Sequence, residues 1–314
     1  MSNLSPFEFA LRQATRTSVK PLICLYSPSG CGKTYSALLL ARGMVGDAGK
    51  IGLADSEAGR GSLYADIIPG GYQTLAINEP FSPRKYLECM MFMERQKLDI
   101  GIIDSGSHEW EGLGGVLEMA HEREVKSGKT GLHVWKEPKM EHQKWVQHFL
   151  QSPIPWIICL RAKHKSRQTK NAQGKTEIVR DDDASPIQAE DFIFEMTAHM
   201  EILPNHAIKL TKCSHPDLRR CFPKDNTEPL TIETGRKIKA WCDGASTATE
   251  APELRKAKKQ LWEMTKARHG GVASALEAWL LAQNIITDTE TLEGMTIDRV
   301  KQVTDAAVKN LTNK

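Results

Sequence analysis

Leu22-Ile23-Cys24-Leu25-Tyr26-Ser27-Pro28-Ser29-Gly30-Cys31-Gly32-Lys33-Thr34-Tyr35 is the stretch on which the fold turns. Five apolar residues run into a loop of small residues, and Lys33 to Val45, carrying Leu38, Leu39, Leu40 and Ala41, then reads as a helix. The order strand, loop, helix gives the loop its meaning. Small residues let successive N–H groups curl around phosphate oxygens, and the helix N-terminus favours an anion. A lysine then meets the terminal phosphates and a hydroxyl meets Mg²⁺. Ser29, Gly30, Cys31, Gly32, Lys33, Thr34 and Tyr35 are the predicted nucleotide contacts, with Ser27 where the pattern usually has its first glycine. A ligand-free strand-to-helix turn is the weaker reading, because the Gly-Lys-Thr ending is complete.

Outward from this loop, Ile51 to Ala54 closes on Asp55, Ile100 to Ile103 closes on Asp104, and Trp156 to Leu160 follows a helix-like segment from Lys139 to Leu150. Apolar strands that do not alternate, separated by helical stretches, predict an α/β fold with a mainly parallel sheet covered on both faces. Strand C-termini then share one crevice, where Lys33, Glu57 and Asp104 can converge. Asp104 is expected to hold Mg²⁺ with Thr34. Residue 105 is Ser, so the carboxylate that polarises water must come from elsewhere; Glu57 is the expected general base, with Asp55 or Glu109 as replacements.

Several segments beyond the loop resemble a known family. Asp55-Ser56-Glu57-Ala58 and Ile102-Ile103-Asp104-Ser105 look like a RecA-type ATPase core. The run from Ile103 to Gly112, with Trp135-Lys136, Arg161-Ala162-Lys163, Pro186-Ile187-Gln188 and Lys212-Cys213, is similar to bacteriophage RecA-like P-loop ATPases associated with single-strand annealing and recombination. The resemblance covers about residues 20 to 223 and implies a RecA-like fold, ATP hydrolysis, single-stranded DNA as partner and a ring or filament of copies. It also implies that basic residues on a late strand act across a subunit boundary; Lys209, Lys212, Arg219 and Arg220 are the candidates. A helicase loader or other replication ATPase, and a nucleotide-switched interaction protein acting against host defence, are the alternatives. A small-molecule kinase is disfavoured by the lack of an arginine-rich lid, and a GTPase by the lack of an Asn-Lys-x-Asp motif.

Arg161 to Arg180 holds seven basic residues against one acid, Glu177, a local charge of +6 in a chain whose net charge is only +3. With Asn171-Ala172-Gln173-Gly174 as tip, it is expected to be a flexible loop whose Arg161, Lys163, Lys165, Arg167 and Lys170 neutralise single-stranded DNA phosphates. The competing reading is a solvated hairpin answered by Asp181-Asp182-Asp183. Trp110 and Trp135 are candidate stacking residues, though tryptophan there is more often core. Cys213, His215 and Cys221 make a poor zinc set without a paired motif.

The expected organisation is an N-terminal segment 1–20 with a possible short helix at Phe7 to Gln13, an ATPase core 21–243, a linker 244–252 and a helical domain 253–314. Thr197 to Leu203 and Ala207 to Lys212 are expected as antiparallel strands added at the sheet edge. In the helical domain Val272, Ala275, Leu276, Trp279 and Leu280 keep a helical spacing, and Ile297 to Leu311 fits a further helix capped by Thr296. This domain is close to neutral and could dock a partner protein. Seven scattered cysteines without a CxxC pair argue against a disulfide framework, and no stretch approaches the roughly 18 apolar residues of a membrane span. With no signal-peptide order at its start, the chain reads as cytoplasmic, in the host cell if phage-encoded.

Overall fold

The computed structural model describes residues 19–170, 176–244, 252–269, 273–287, 295 and 297–312. It divides into two units, the first ending at Gly244 and the second beginning at Ala245. The first holds strands β1 (Leu22–Ser27), β2 (Ile51–Asp55), β3 (Gln73–Ala76), β4 (Ile100–Asp104), β5 (Trp156–Lys170), β6 (Thr176–Pro186), β7 (Ala198–Ile202) and β8 (Ile208–Cys213). Its helices are α1 (Lys33–Val45), α2 (Pro83–Arg95), α3 (Ser107–Glu111), α4 (Val116–Ser127), α5 (Leu132–Gln151), α6 (Phe192–Glu195), α7 (Pro216–Cys221) and α8 (Ile232–Cys242).

The strands lie in the order β3-β2-β4-β5-β1-β7-β8, with β6 paired to β5 off that path. Neighbours from β3 to β7 are all parallel, so the protein has an α/β fold with a mostly parallel sheet. The unbroken apolar strands follow from cover on both faces. Ile23 and Leu25 of β1 join the core beneath α1 and α8, while Leu22, Cys24 and Tyr26 join the core beneath α2 and α5. Ile100 and Ile102 of β4 separate from Ile103 in the same way, as do Ile157 and Cys159 of β5 from Trp156, Ile158 and Leu160. Each fully buried Leu or Ile contributes roughly 1.5–3 kcal/mol, so strands and covering helices stabilise the unit together. On the first face α1 and α8 meet at Gly43 and Gly235; a Cβ on Gly235 would stand 2.2 Å from the Leu40 carbonyl oxygen.

Three expectations change. The late strands are not both antiparallel: β7 runs parallel to β1, and only β8 turns back on β7. Residues 161–170 and 176–180 are strand and not irregular loop, because β5 continues to Lys170 and pairs antiparallel with β6, with a register shift between His164 and Ser166. Thr169, Thr176, Ile178 and Val179 suit extended backbone, but a strand polar along both faces gives no alternation to detect. The segment at 139–150 is the second half of a longer helix, α5, which runs on through Pro138. Helices α2 and α4 and the four-residue edge strand β3 had no counterpart in the sequence reading. The tip 171–174 and the segment 1–18 lie outside the described residues.

The second unit contains α9 (Pro252–His269), α10 (Ala273–Ala282) and α11 (Ile297–Thr312) around a core of Leu261, Leu276, Leu280, Ile285, Ile286, Met295, Val300, Val303 and Ala307. Pro252, expected as the last linker residue, is the first residue of α9. Linker residues 245–251, Val272 and Thr296 lie outside the described residues. No helix among the described residues is long and apolar enough to cross a membrane, and all seven cysteines are free.

Candidate active site

β1 delivers the 27–34 loop to the C-terminal edge of the parallel strands. Gly30 and Gly32 have φ of +89° and +88°, left-handed conformations that a side chain would strain, so the loop's tight winding needs glycine at both. Gly32 is the N-cap of α1 and offers no side-chain cap, which leaves the first-turn N–H groups without acceptors inside the helix. They border a cavity of about 690 Å³ lined by Ser29, Gly30, Gly32, Lys33, Thr34 and Tyr35 on one wall. Cys31 faces the other way, into the core at 5% exposure, and contributes its backbone only.

The Lys33 ammonium is buried and donates to neutral oxygens, the Ser27 carbonyl at 3.2 Å, the Ser27 Oγ at 3.3 Å and the Pro28 carbonyl at 3.3 Å. Thr34 Oγ1 donates to Asp104 Oδ2 at 2.5 Å. Asp104 is buried at the end of β4, and burial pushes its carboxyl up to about 6; Glu57 and Asp55 add to the rise, while the Thr34 hydrogen bond and Lys33 oppose it. A buried carboxylate held uphill in this way is a place where a divalent cation would relieve the cost. Mg²⁺ commonly keeps most of its waters and takes one or two protein oxygens plus substrate phosphates, so the Thr34–Asp104 pair is a sufficient donor set for it.

Glu57 lines the same cavity from the β2 side, together with Arg60, Leu63 and Tyr64. The structure therefore brings Lys33, Thr34, Glu57 and Asp104 together, as expected from parallel strand ends. It separates the two alternative bases. Asp55 is spent on the backbone: Oδ1 accepts from the Glu57 N–H at 2.6 Å and Oδ2 from the Gly61 N–H at 2.8 Å. Glu109 is fully buried, where it meets His142 Nδ1 at 3.0 Å and accepts from Gln188 Nε2 at 3.2 Å.

Several lining residues were not foreseen. Tyr64 stacks on Tyr35 with ring centroids 5.5 Å apart. His206, in the β7–β8 turn with φ +67°, donates from Nδ1 to the Cys31 carbonyl at 2.9 Å. Arg60 is flanked by Gly59 and Gly61 three residues after Glu57, a spacing that only a known turn would single out. Pro229, Leu230 and Thr231, ahead of α8, complete the wall.

The predicted DNA and trans residues are placed elsewhere. Arg161 Nη1 contacts His108 Nε2 at 3.2 Å, and Lys163 lies 4.0 Å from Glu111. Guanidinium can only donate, so His108 Nε2 must accept and its Nδ1–H donates to Ser56 Oγ at 2.8 Å. Burial first, then Arg161, lowers the His108 pKa, in keeping with this neutral form. Lys165, Arg167 and Lys170 lie on β5, with side chains outside the described residues. Trp110 and Trp135 are half-buried and border a second cavity with His142.

On β8, Lys212 donates to the Ile193 and Phe194 carbonyls at 2.9 and 2.6 Å, and Lys209 lies on the same strand. Arg219 pairs with Asp225 at 2.9 Å and Arg220 with Asp217 at 2.6 Å. Cys213 and His215 are likewise engaged locally: the thiol donates to the His215 carbonyl, and the imidazole caps α7. No family model matches the chain, and no curated protein matches it.

Proposed function

We propose that this chain is a RecA-like P-loop ATPase that works on single-stranded DNA in phage-type recombination or strand annealing. The observation that carries the reading is one cavity in which a doubly glycine-wound loop, Lys33, Thr34, Asp104 and Glu57 all meet at the open edge of a mostly parallel sheet. Its volume of about 690 Å³ suits a nucleotide, since small-molecule sites commonly span roughly 300–1,000 Å³.

In this reading the loop N–H groups and the α1 N-terminus bind the phosphates, and Lys33 turns from the Ser27 and Pro28 oxygens to the terminal ones. Thr34 and Asp104 would hold Mg²⁺, which would supply neutralisation of phosphate charge. Glu57 accepts the proton of the attacking water. Tyr35 and Tyr64 offer aromatic faces at the cavity wall. Single-stranded DNA would meet the basic β5–β6 hairpin, and copies would assemble as a ring or filament, with the α9–α11 unit available for a partner protein.

ATP turnover measured with and without single-stranded DNA, in the parent chain and in Lys33→Ala, tests the proposal. Turnover that rises with DNA and vanishes in the variant is expected. Parental turnover in Lys33→Ala would refute the site, and turnover indifferent to DNA would refute the partner.

A further inference from the structure

We propose that Arg60 is a catalytic residue acting within its own chain, its guanidinium moving from Glu57 to the terminal phosphate of the bound nucleotide. The proposal rests on the nucleotide reading of the cavity and adds a cation to it that neither the loop motif nor the trans candidates supply.

The geometry has two parts, a held backbone and a loose side chain. Asp55 is 4% exposed, and its carboxylate grips the N–H groups of Glu57 and Gly61, on either side of residue 60. The Tyr72 hydroxyl donates to the Gly61 carbonyl. By contrast, Arg60 Nη1 stands 3.8 Å from Glu57 Oε2, within ion-pair range but too long for a hydrogen bond, and the arginine side chain is 70% exposed. An exposed pair of this kind holds its partners weakly, so little opposes a change of partner. A fixed root with a movable charged end is what reaching a reacting group requires.

The cavity's other cation, Lys33, belongs to the loop wall, whereas Arg60 and Glu57 approach from the β2 side. Three of the late basic residues are committed within the chain: Lys212 to the Ile193 and Phe194 carbonyls of α6, Arg219 to Asp225 and Arg220 to Asp217. In hydrolysis a water oxygen bonds to the terminal phosphorus as the bond to the bridging oxygen breaks, and that oxygen keeps the electron pair. The water proton passes to Glu57 and then to solvent. Charge spreads over the equatorial and leaving oxygens, and a planar guanidinium matches two of them at once. In the same movement Arg60 leaves the Glu57 carboxylate, which becomes available to water. Pairing with Glu57 and contact with a terminal phosphate are thus alternative positions of the Arg60 guanidinium, and bound nucleotide would separate base from cation.

The test compares the parent with Arg60→Ala and Arg60→Lys for ATP turnover, for ADP affinity, and for affinity of ADP with aluminium fluoride, which mimics the transferring phosphoryl group. Arg60→Ala should lose turnover by about 100-fold or more. ADP affinity should stay within about threefold, and the aluminium fluoride complex should weaken by a factor like that in turnover. Arg60→Lys should recover only a small part, since a point charge lacks the fork. A merely structural role would weaken ADP and its aluminium fluoride complex alike, and that result overturns the proposal. Mixing Arg60→Ala with Lys33→Ala should restore nothing, because both defects fall in one cavity; recovery would show action across subunits and overturn the within-chain assignment. Parental turnover in Arg60→Ala overturns the Arg60 role alone. A parent chain that binds no ADP overturns the nucleotide reading, and this proposal with it.

Discussion

Replacing Asp104 with Asn separates what the carboxylate does for the site from what it costs the fold. Burial lifts this carboxyl from its ordinary 3.8 to about 6, so the native state binds a proton more tightly than the unfolded chain does. Between those values native protein holds more protons, and stability therefore falls as pH rises through the window and levels off above it. About two pH units at about 1.4 kcal/mol each make the full cost roughly 3 kcal/mol, present at pH 8 and about half developed at pH 5. Asn keeps an oxygen to accept from Thr34 and carries no charge. Asp104→Asn should accordingly be more stable than the parent by up to about 3 kcal/mol at pH 8, with that advantage shrinking by roughly half at pH 5. Urea unfolding of both proteins at the two pH values, without nucleotide or divalent cation, measures it. An advantage equal at both pH values, or a loss of stability at pH 8, would refute the argument. ATP turnover of the same variant should be abolished.

Gly235→Ala should destabilise the first unit by about 1–3 kcal/mol, because the new methyl group would meet the Leu40 carbonyl oxygen across the α1–α8 packing. Thermal unfolding against the parent checks it, and a gain in stability, the usual result of Gly→Ala at an open helical position, would count against that packing. Neutralising Lys163, Lys165, Arg167 and Lys170 together should weaken single-stranded DNA binding for all sequences alike. It should also reduce the logarithmic salt slope by roughly 3, at about 0.7 for each phosphate that is no longer neutralised. Titrations at several salt concentrations read both, and ADP affinity in the same variant should be unchanged.

Much of this architecture could be read in advance because the decisive residues are close together in sequence or sit at strand ends. The 22–35 stretch names its own conformation, and four short apolar runs, each closed by a polar residue, read as strands covered on both sides. Glu57 and Asp104 follow, since parallel strands share an open edge. What escaped has no such local mark. Helix α2 buries Tyr86, Met90 and Met93 but exposes Met91 and Phe92, which blurs its stripe. Strand β3 is short and largely exposed, and the β5 extension is polar on both sides. Arg60 and Tyr64 reach the cavity from the short 3₁₀ helix Arg60–Tyr64, and His206 from the β7–β8 turn, segments that neither spacing nor composition announces. The Glu109–His142–Gln188 cluster joins residues 33 and 79 positions apart, a proximity created only by packing.

His108 gives the base of the hairpin a mechanical meaning. With one ring nitrogen receiving from Arg161 and the other giving to Ser56, the imidazole has no lone pair left to take a proton while both hydrogen bonds last. It is a strut and not a base. Arg161 is then no independent counter-ion at the hairpin's root: any anion that draws it away must first unfasten a brace whose far end is the residue next to Glu57.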